Sequence, residues 1–140
     1  MTFSTQRRVE FRDTDAAGIV HFSVFFPMME SAEHEMLRAL GIPVLPTADQ
    51  ADLPAVTWPR VAASCDYAAA ARFEDILSIS VQVARIGATS VEYRFRFTRD
   101  DQLIAQGSMT AVCCRLTESR GGLEKTPIPD AIRRLLAKHQ

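Results

Sequence analysis

Cysteine and histidine are scarce in this chain of 140 residues, with three of each, and they follow no metal-binding pattern. An odd number of cysteines (Cys65, Cys113 and Cys114) argues against a disulfide framework, and the absence of a C-x-x-C pair argues against a zinc site. We therefore predict that the cysteines are reduced and fill small interior sites, and that no metal is bound.

Charge of one sign and long hydrophobic runs are also missing. Sixteen basic and 17 acidic residues leave a formal net charge of −1, which gives no electrostatic basis for binding nucleic acid or a membrane surface. The most apolar segment, residues 18–29, is too short to span a bilayer, and the N-terminus lacks the apolar run of a signal peptide. Together with 47% apolar residues, these features predict one cytoplasmic globular domain over residues 1–140.

The segment from Val9 to Gly41 is the most informative part of the sequence. A strand-like start leads into the acidic turn Asp13-Thr14-Asp15, which Gly18 closes, and an amphipathic helix follows. This order places a carboxylate just before a helix N-terminus, where free N–H groups and the positive end of the helix dipole lie. A carboxylate beside such N–H groups can attack a carbonyl or activate water, while the N–H groups hold the oxyanion.

Hydrophobic periodicity predicts one long helix packed on a mainly antiparallel sheet. Apolar residues at steps of three and four predict a helix from about Ser23 to Leu40, which Gly41 ends. Four polar residues are expected mostly off its apolar stripe: Glu30, Glu33, His34 and Arg38. Alternating apolar residues predict strands over 3–12, 61–67, 75–86, 90–98 and 103–116, with hairpin links at 87–89 and 99–102.

Two further segments complete the predicted domain. Residues 43–60 contain four of the seven prolines and are expected to form a loop, with a short helical turn around 49–53. Residues 129–138 are expected to form a terminal helix with Pro129 near its first turn. The order of one strand, one long helix and four strands predicts an α+β fold, in which one helix covers an antiparallel sheet.

Two motifs resemble those of a known family. The first is F-R-D-T-D-A-A-G-I-V-H-F, followed by a helix that ends in E-x-L-R-A-L-G. The second is C-D-Y-A-A-A-A-R-F-E-D-I-L-S-I-S-V-Q-V in the second half of the chain. Over roughly residues 7–116, the sequence resembles the hot-dog-fold acyl-CoA thioesterases of the 4-hydroxybenzoyl-CoA thioesterase type.

The resemblance implies an antiparallel sheet of five or six strands wrapped around one long central helix. It also implies dimers or tetramers with active sites at subunit interfaces, and hydrolysis of an acyl-CoA thioester without a metal or an organic cofactor. By the same resemblance, Asp15 is the catalytic carboxylate, the backbone N–H of Phe22 is the oxyanion donor, and Gly18 is the family's glycine between them.

The substrate contacts are less sharply defined. Val24 stands where the family commonly has Asn, which predicts a more apolar pocket entrance and a preference for aromatic or medium-chain acyl groups. His21 and Phe25 are predicted to contact substrate, although His21 could equally line an interface. Four arginines are candidates for the CoA phosphates, since Arg geometry suits phosphate, and the first of them is our predicted contact: Arg60, Arg72, Arg85 and Arg120.

Several alternatives remain open at the sequence level. On spacing alone, Asp15 could be a turn or cap carboxylate, and Asp13 is expected to stabilise the turn by hydrogen bonding. The thioester could be carried by a carrier protein's pantetheine instead of CoA, or the domain could bind acyl-CoA without catalysis. A dehydratase ranks lower, because the usual pairing of His with an acid is not matched by His21 and Asp15.

Overall fold

The computed structural model describes residues 1–45, 53–119 and 121–140. Its strands are β1 (Phe3–Arg8), β2 (Arg60–Tyr67), β3 (Ile76–Ile86), β4 (Ser90–Arg99), β5 (Gln102–Val112), β6 (Cys114–Leu116) and β7 (Leu123–Lys125). Its α-helices are α1 (Phe25–Ala39) and α2 (Asp130–Leu136), and its 3₁₀ turns are Phe11–Asp13, Phe22–Val24 and Ala137–His139.

Five strands form one antiparallel sheet in the order β1-β3-β4-β5-β2, and β6 pairs with β7 in a separate hairpin. The link between β4 and β5 has positive φ at both Asp100 and Asp101, as a tight two-residue hairpin with right-handed strand twist requires. Helix α1 packs on the sheet, so the predicted α+β architecture is confirmed.

The core lies between α1 and the inner face of the sheet. Strand alternation places one row of β3 and one row of β4 inside, all at most 2% exposed: Leu77, Ile79, Val81, Val83, Val91, Tyr93, Phe95 and Phe97. The helix contributes Met29, Ala32 and Met36, all fully buried. Gly107 of β5 permits the close approach of the helix, because a Cβ there would collide with the Met29 side chain.

Helix α1 follows the predicted course closely. It begins in the 3₁₀ turn Phe22–Val24, so Pro27 lies in the first α-helical turn, where its missing N–H breaks no bond. The helix ends before Gly41, whose φ of +78° allows the chain to reverse. The placement of Glu33 outside the apolar stripe was wrong, because its side chain is 1% exposed and is paired with Arg60 from β2.

Two predicted strands are longer than the observed ones. β1 ends at Arg8, and Phe11 enters a 3₁₀ turn with its side chain 76% exposed, although Val9 is buried as expected. The fifth strand breaks at Cys113, after which the chain forms the unpredicted hairpin of β6 and β7. Both adjacent cysteines are buried, since this break removes the strict alternation that would direct one of them outward.

The helical turn expected around 49–53 falls almost wholly outside the described residues. Within the described ranges, no helix is long and apolar enough to cross a bilayer.

Candidate active site

The acidic turn positions two carboxylates with different surroundings. The Asp13 carboxylate accepts a hydrogen bond from the Glu10 N–H at 2.8 Å, and its backbone carbonyl accepts one from the His21 N–H at 2.8 Å. Both contacts stabilise the turn, as the sequence predicted for Asp13. Asp15 uses only Oδ1, which accepts from the Ala17 N–H at 2.8 Å. In the described part of the chain, Oδ2 of Asp15 has no hydrogen-bond partner, so this oxygen is available for chemistry.

The Asp15 turn is a tight reversal that glycine makes possible. The Gly18 N–H donates to the Asp15 carbonyl at 2.9 Å, and the Asp15 N–H donates to the Ile19 carbonyl at 2.9 Å. Gly18 has φ of +79°, a left-handed conformation that disfavours any residue with a Cβ. Glycine at this position therefore allows the chain to reverse directly after Asp15.

The start of the helix leaves an N–H group free beside this turn. His21 caps the 3₁₀ turn, since its Nδ1 accepts from the Ser23 N–H at 3.2 Å and lies 2.7 Å from the Ser23 hydroxyl. An acceptor at Nδ1 places the proton on Nε2 when the ring is neutral. Among the described residues, nothing accepts a hydrogen bond from the Phe22 N–H, and the free N–H groups at a helix start attract negative charge.

Asp15 and Phe22 meet on one cavity of about 340 Å³. Its other lining is mainly apolar: Ile19, Val20, Phe25, Tyr67, Ala68, Ala69, Ala70 and Ala71. Phe25 is buried and packs edge-to-face on Tyr67 and Phe97, at centroid distances of 5.4 and 5.1 Å. The cavity is therefore lined by a residue with a carboxylate, a residue with a free backbone N–H and apolar side chains, which are the elements that hydrolysis of a hydrophobic acyl thioester needs.

Sequence reasoning missed Tyr67, which closes the cavity from the end of β2. Its hydroxyl donates to the Phe22 carbonyl at 2.8 Å, so it links the sheet edge to the helix start across 45 residues of sequence. A signal for it existed, because Tyr67 lies in the second family-like motif and begins the run of alanines that lines the cavity.

Other predicted contacts lie away from this cavity. Arg60 lines a separate cavity of about 240 Å³ with Glu30 and Glu33, and its guanidinium is paired with both carboxylates. Burial raises the pKa of Glu33 to about 7, against the opposing effect of Arg60. Val24 lines a third cavity, of about 550 Å³, between β1 and α1, so it is not at the mouth of the Asp15 cavity.

The remaining arginine candidates differ in position. The Arg72 backbone pairs with Ile19 next to the Asp15 turn, and a guanidinium nitrogen of Arg72 lies over Gly18. Arg85 is exposed near the end of β3. No carboxylate in the described residues forms an ion pair with either guanidinium. Arg120 lies outside the described residues.

Comparison with known proteins decides the family. A family model described as the thioesterase-like superfamily matches residues 9–136. The chain belongs to this superfamily. Among curated relatives, it is 32% identical over 134 residues to the 1,4-dihydroxy-2-naphthoyl-CoA hydrolase of Synechococcus sp. (strain WH7803), covering 93% of this chain and 85% of that protein.

Comparison with solved structures confirms the predicted hot-dog fold. A 1,4-dihydroxy-2-naphthoyl-CoA thioesterase from Synechocystis matches with a TM-score of 0.81 at 26% identity, over 98% of this chain and 96% of that one. A 4-hydroxybenzoyl-CoA thioesterase variant in complex with 4-hydroxybenzoyl-CoA matches with a TM-score of 0.81 over 94% and 96% of the two chains. At 21% identity, the second match shows the fold alone, so the narrower 4-hydroxybenzoyl-CoA type is supported only as a shared fold. The chain is a thioester hydrolase.

Proposed function

We propose that this enzyme hydrolyses an aromatic acyl-CoA thioester, with Asp15 as its catalytic carboxylate and the Phe22 N–H as its oxyanion donor. One observation carries the proposal: Asp15, which has an unbonded carboxylate oxygen, and Phe22, which has an unbonded N–H, line the same apolar cavity. The named activities of its relatives support a CoA thioester as the substrate.

In the proposed reaction, the thioester carbonyl oxygen accepts a hydrogen bond from the Phe22 N–H. Asp15 either attacks the carbonyl carbon, forming a mixed anhydride that water then hydrolyses, or takes a proton from the attacking water. In both routes a C–O bond forms, the C–S bond breaks, and negative charge passes from the carbonyl oxygen to the leaving thiolate. A CoA thiolate leaves readily, so no strong general acid is required, and no metal or organic cofactor enters the scheme.

The acyl preference rests on the cavity wall. Phe22 and Phe25 are aromatic lining residues, and the run from Ala68 to Ala71 lines the cavity with small side chains. A lining of aromatic rings and small apolar side chains suits a planar aromatic acyl group better than an acetyl group, and the naphthoyl-CoA activity of the relatives agrees. Since apolar pockets discriminate by only about 1–3 kcal/mol per methylene, we expect a graded preference.

Arg72 is our preferred contact for the CoA phosphates, because its guanidinium lies over the Gly18 turn beside the cavity. An Arg72→Ala variant should raise KM for benzoyl-CoA but leave KM for the N-acetylcysteamine thioester, which has no phosphates, unchanged. Arg85→Ala is the matched control. Equal effects on both substrates would remove Arg72 from this role, and a raised KM with Arg85→Ala alone would transfer the role to Arg85.

We further propose that the enzyme is a dimer or a tetramer. β2 is an edge strand of the sheet, it carries Val61 at 63% exposed, and it ends at Tyr67 on the cavity wall. An exposed edge strand with apolar side chains can pair with the same strand of a second subunit, and pairing at β2 would enclose the cavity.

The decisive experiment is a hydrolysis panel of aromatic, short, branched and long acyl-CoA esters, read by release of free thiol. Asp15→Asn keeps the shape of the side chain but removes its charge, so kcat should fall at least about 100-fold with little change in KM. Asp13→Asn is the control and should lose little activity. Normal hydrolysis by both variants would refute the catalytic role of the turn and favour an acyl-CoA-binding module. Activity on carrier-protein thioesters alone would show that the acyl group is carried by a protein-bound pantetheine and not by CoA.

A further inference from the structure

Tyr67 stands at the point where the sheet meets the start of the helix. Its hydroxyl donates to the Phe22 carbonyl at 2.8 Å, and its ring packs edge-to-face on Phe25 at a centroid distance of 5.4 Å. Tyr67 and both of its partners line the cavity of Asp15. One side chain from the sheet thus contacts both the 3₁₀ turn, at Phe22, and the first residue of α1, Phe25.

The other hydrogen bonds of this turn are local in sequence. His21 caps the turn through the Ser23 N–H, the Val24 N–H donates to the His21 carbonyl at 2.9 Å, and the His21 N–H donates to the Asp13 carbonyl at 2.8 Å. Packing of Phe25 on Phe97 of β4 holds the helix that follows. Among the described residues, the Tyr67 hydroxyl is the group of the sheet that bonds the backbone of Phe22 itself, 45 residues away in the chain.

The restrained carbonyl and the free N–H belong to the same residue, Phe22. The carbonyl is in the 22–23 peptide unit and the N–H is in the 21–22 unit, and the two units meet at the Cα of Phe22. A bond that holds the first unit therefore limits, through this Cα, the directions available to the second. The Phe22 ring has less hold on the protein, since the residue is 63% exposed and the ring stacks on the adjacent His21. An oxyanion donor acts only when it is held at hydrogen-bond distance from the developing charge, and small displacements lower the rate strongly.

We propose that Tyr67 is a positioning residue, whose hydroxyl holds the Phe22 carbonyl and thereby helps to keep the Phe22 N–H directed at the thioester carbonyl. This inference rests on the proposed function of the same cavity. Because the hydroxyl donates its hydrogen bond to the Phe22 carbonyl, Tyr67 acts through Phe22 and not by donating to the substrate. A tyrosine hydroxyl is already protonated at neutral pH, and burial together with the neighbouring Cys65 raises the pKa of Tyr67 further.

The test removes one oxygen atom. Tyr67→Phe keeps the ring on Phe25 but deletes the hydroxyl, so kcat for benzoyl-CoA should fall about tenfold while KM stays within about twofold. Ser64→Ala is the matched control, because Ser64 is on the same strand and its hydroxyl lies 3.0 Å from that of Ser108, outside the cavity lining. This control should leave both constants unchanged.

Amide hydrogen exchange tests the restraint without relying on activity. In Tyr67→Phe, the bonded N–H groups of Ser23 and Val24 should exchange several-fold faster, while both are unchanged in Ser64→Ala. A kcat within twofold of wild type, a change confined to KM, or unaltered exchange at both amides would overturn the proposal. If wild type hydrolyses no CoA ester, the proposed function fails, and the exchange data still decide whether Tyr67 restrains the turn.

Discussion

The buried carboxyl of Glu33 should make the enzyme less stable as the pH rises from about 4.5 to about 7. Burial raises the pKa of this group from its ordinary 4.5 to about 7, although Arg60 opposes the change. Between these values the folded protein holds a proton that the unfolded chain releases. The stabilisation is therefore complete below about pH 4.5 and is lost as the pH rises through about 7.

The size of this effect follows from the two pKa values. The difference between 4.5 and about 7 corresponds to roughly 3 kcal/mol of unfolding free energy. The side chain is 1% exposed, so solvent screens little of it. Glu33→Gln also removes one carboxyl partner of Arg60, which keeps its ion pair with Glu30 at 3.5 Å, so the absolute stability of the variant changes as well. The pH slope, and not the absolute stability, is therefore the quantity to compare.

The assay is urea unfolding of wild type and Glu33→Gln at intervals from pH 4.5 to 8, at one protein concentration. The wild-type curve should decline relative to that of Glu33→Gln across this range by up to about 3 kcal/mol. Glu35→Gln is the control on the same helix. Hydrogen bonds from Thr5 and Arg7 outweigh burial and lower the pKa of Glu35, so its stabilisation is lost as the pH falls. Parallel curves for wild type and Glu33→Gln would refute the reasoning.

Three further predictions follow from the backbone and the sheet edge. Gly107→Ala should lower the unfolding free energy by at least about 1–3 kcal/mol in urea titrations, because its Cβ would meet the Met29 side chain and lie 2.9 Å from the Ser64 carbonyl oxygen. Gly18→Ala and Gly41→Ala, at φ of +79° and +78°, should each cost about 1–2 kcal/mol, but only Gly18→Ala should also lower kcat. Light scattering should give a multiple of 15.6 kDa at micromolar concentration, and a monomer would contradict the proposed pairing through β2.

The regular elements were predictable because the spacing of apolar residues differs between a helix and a strand. Steps of three and four between apolar residues located α1, and strict alternation located β3 and β4 within one or two residues. Strand ends were harder, since they depend on partners elsewhere in the chain. Val9 exchanges hydrogen bonds with Glu74 and Asp75, which turns the chain away before Phe11. Periodicity contains no information about such a contact.

The buried carboxyl of Glu33 shows a second limit. A carboxylate in an amphipathic pattern predicts an exposed position, because an unpaired charge is costly to bury. Arg60 lowers the cost of burying this carboxyl, but it lies on the edge strand, 27 residues away, and the helix sequence does not indicate that it will pair with Glu33. Pairing between distant elements therefore overrode a local rule that held for most of the same helix.

The chemistry of the site and its shape are encoded at different ranges in the sequence. The three residues proposed to act in catalysis, Asp15, Gly18 and Phe22, lie within eight residues of one another, so a local motif was enough to propose all three. The facing wall comes from residues 67–71, which reach the turn only after the sheet has formed. A change in that wall can alter substrate choice while the carboxylate and the N–H stay in place. The type of reaction is therefore easier to infer from this sequence than the acyl group. Tyr67 connects the turn to the facing wall, so its replacement should show, by a change in kcat without a change in KM, whether the wall positions the turn.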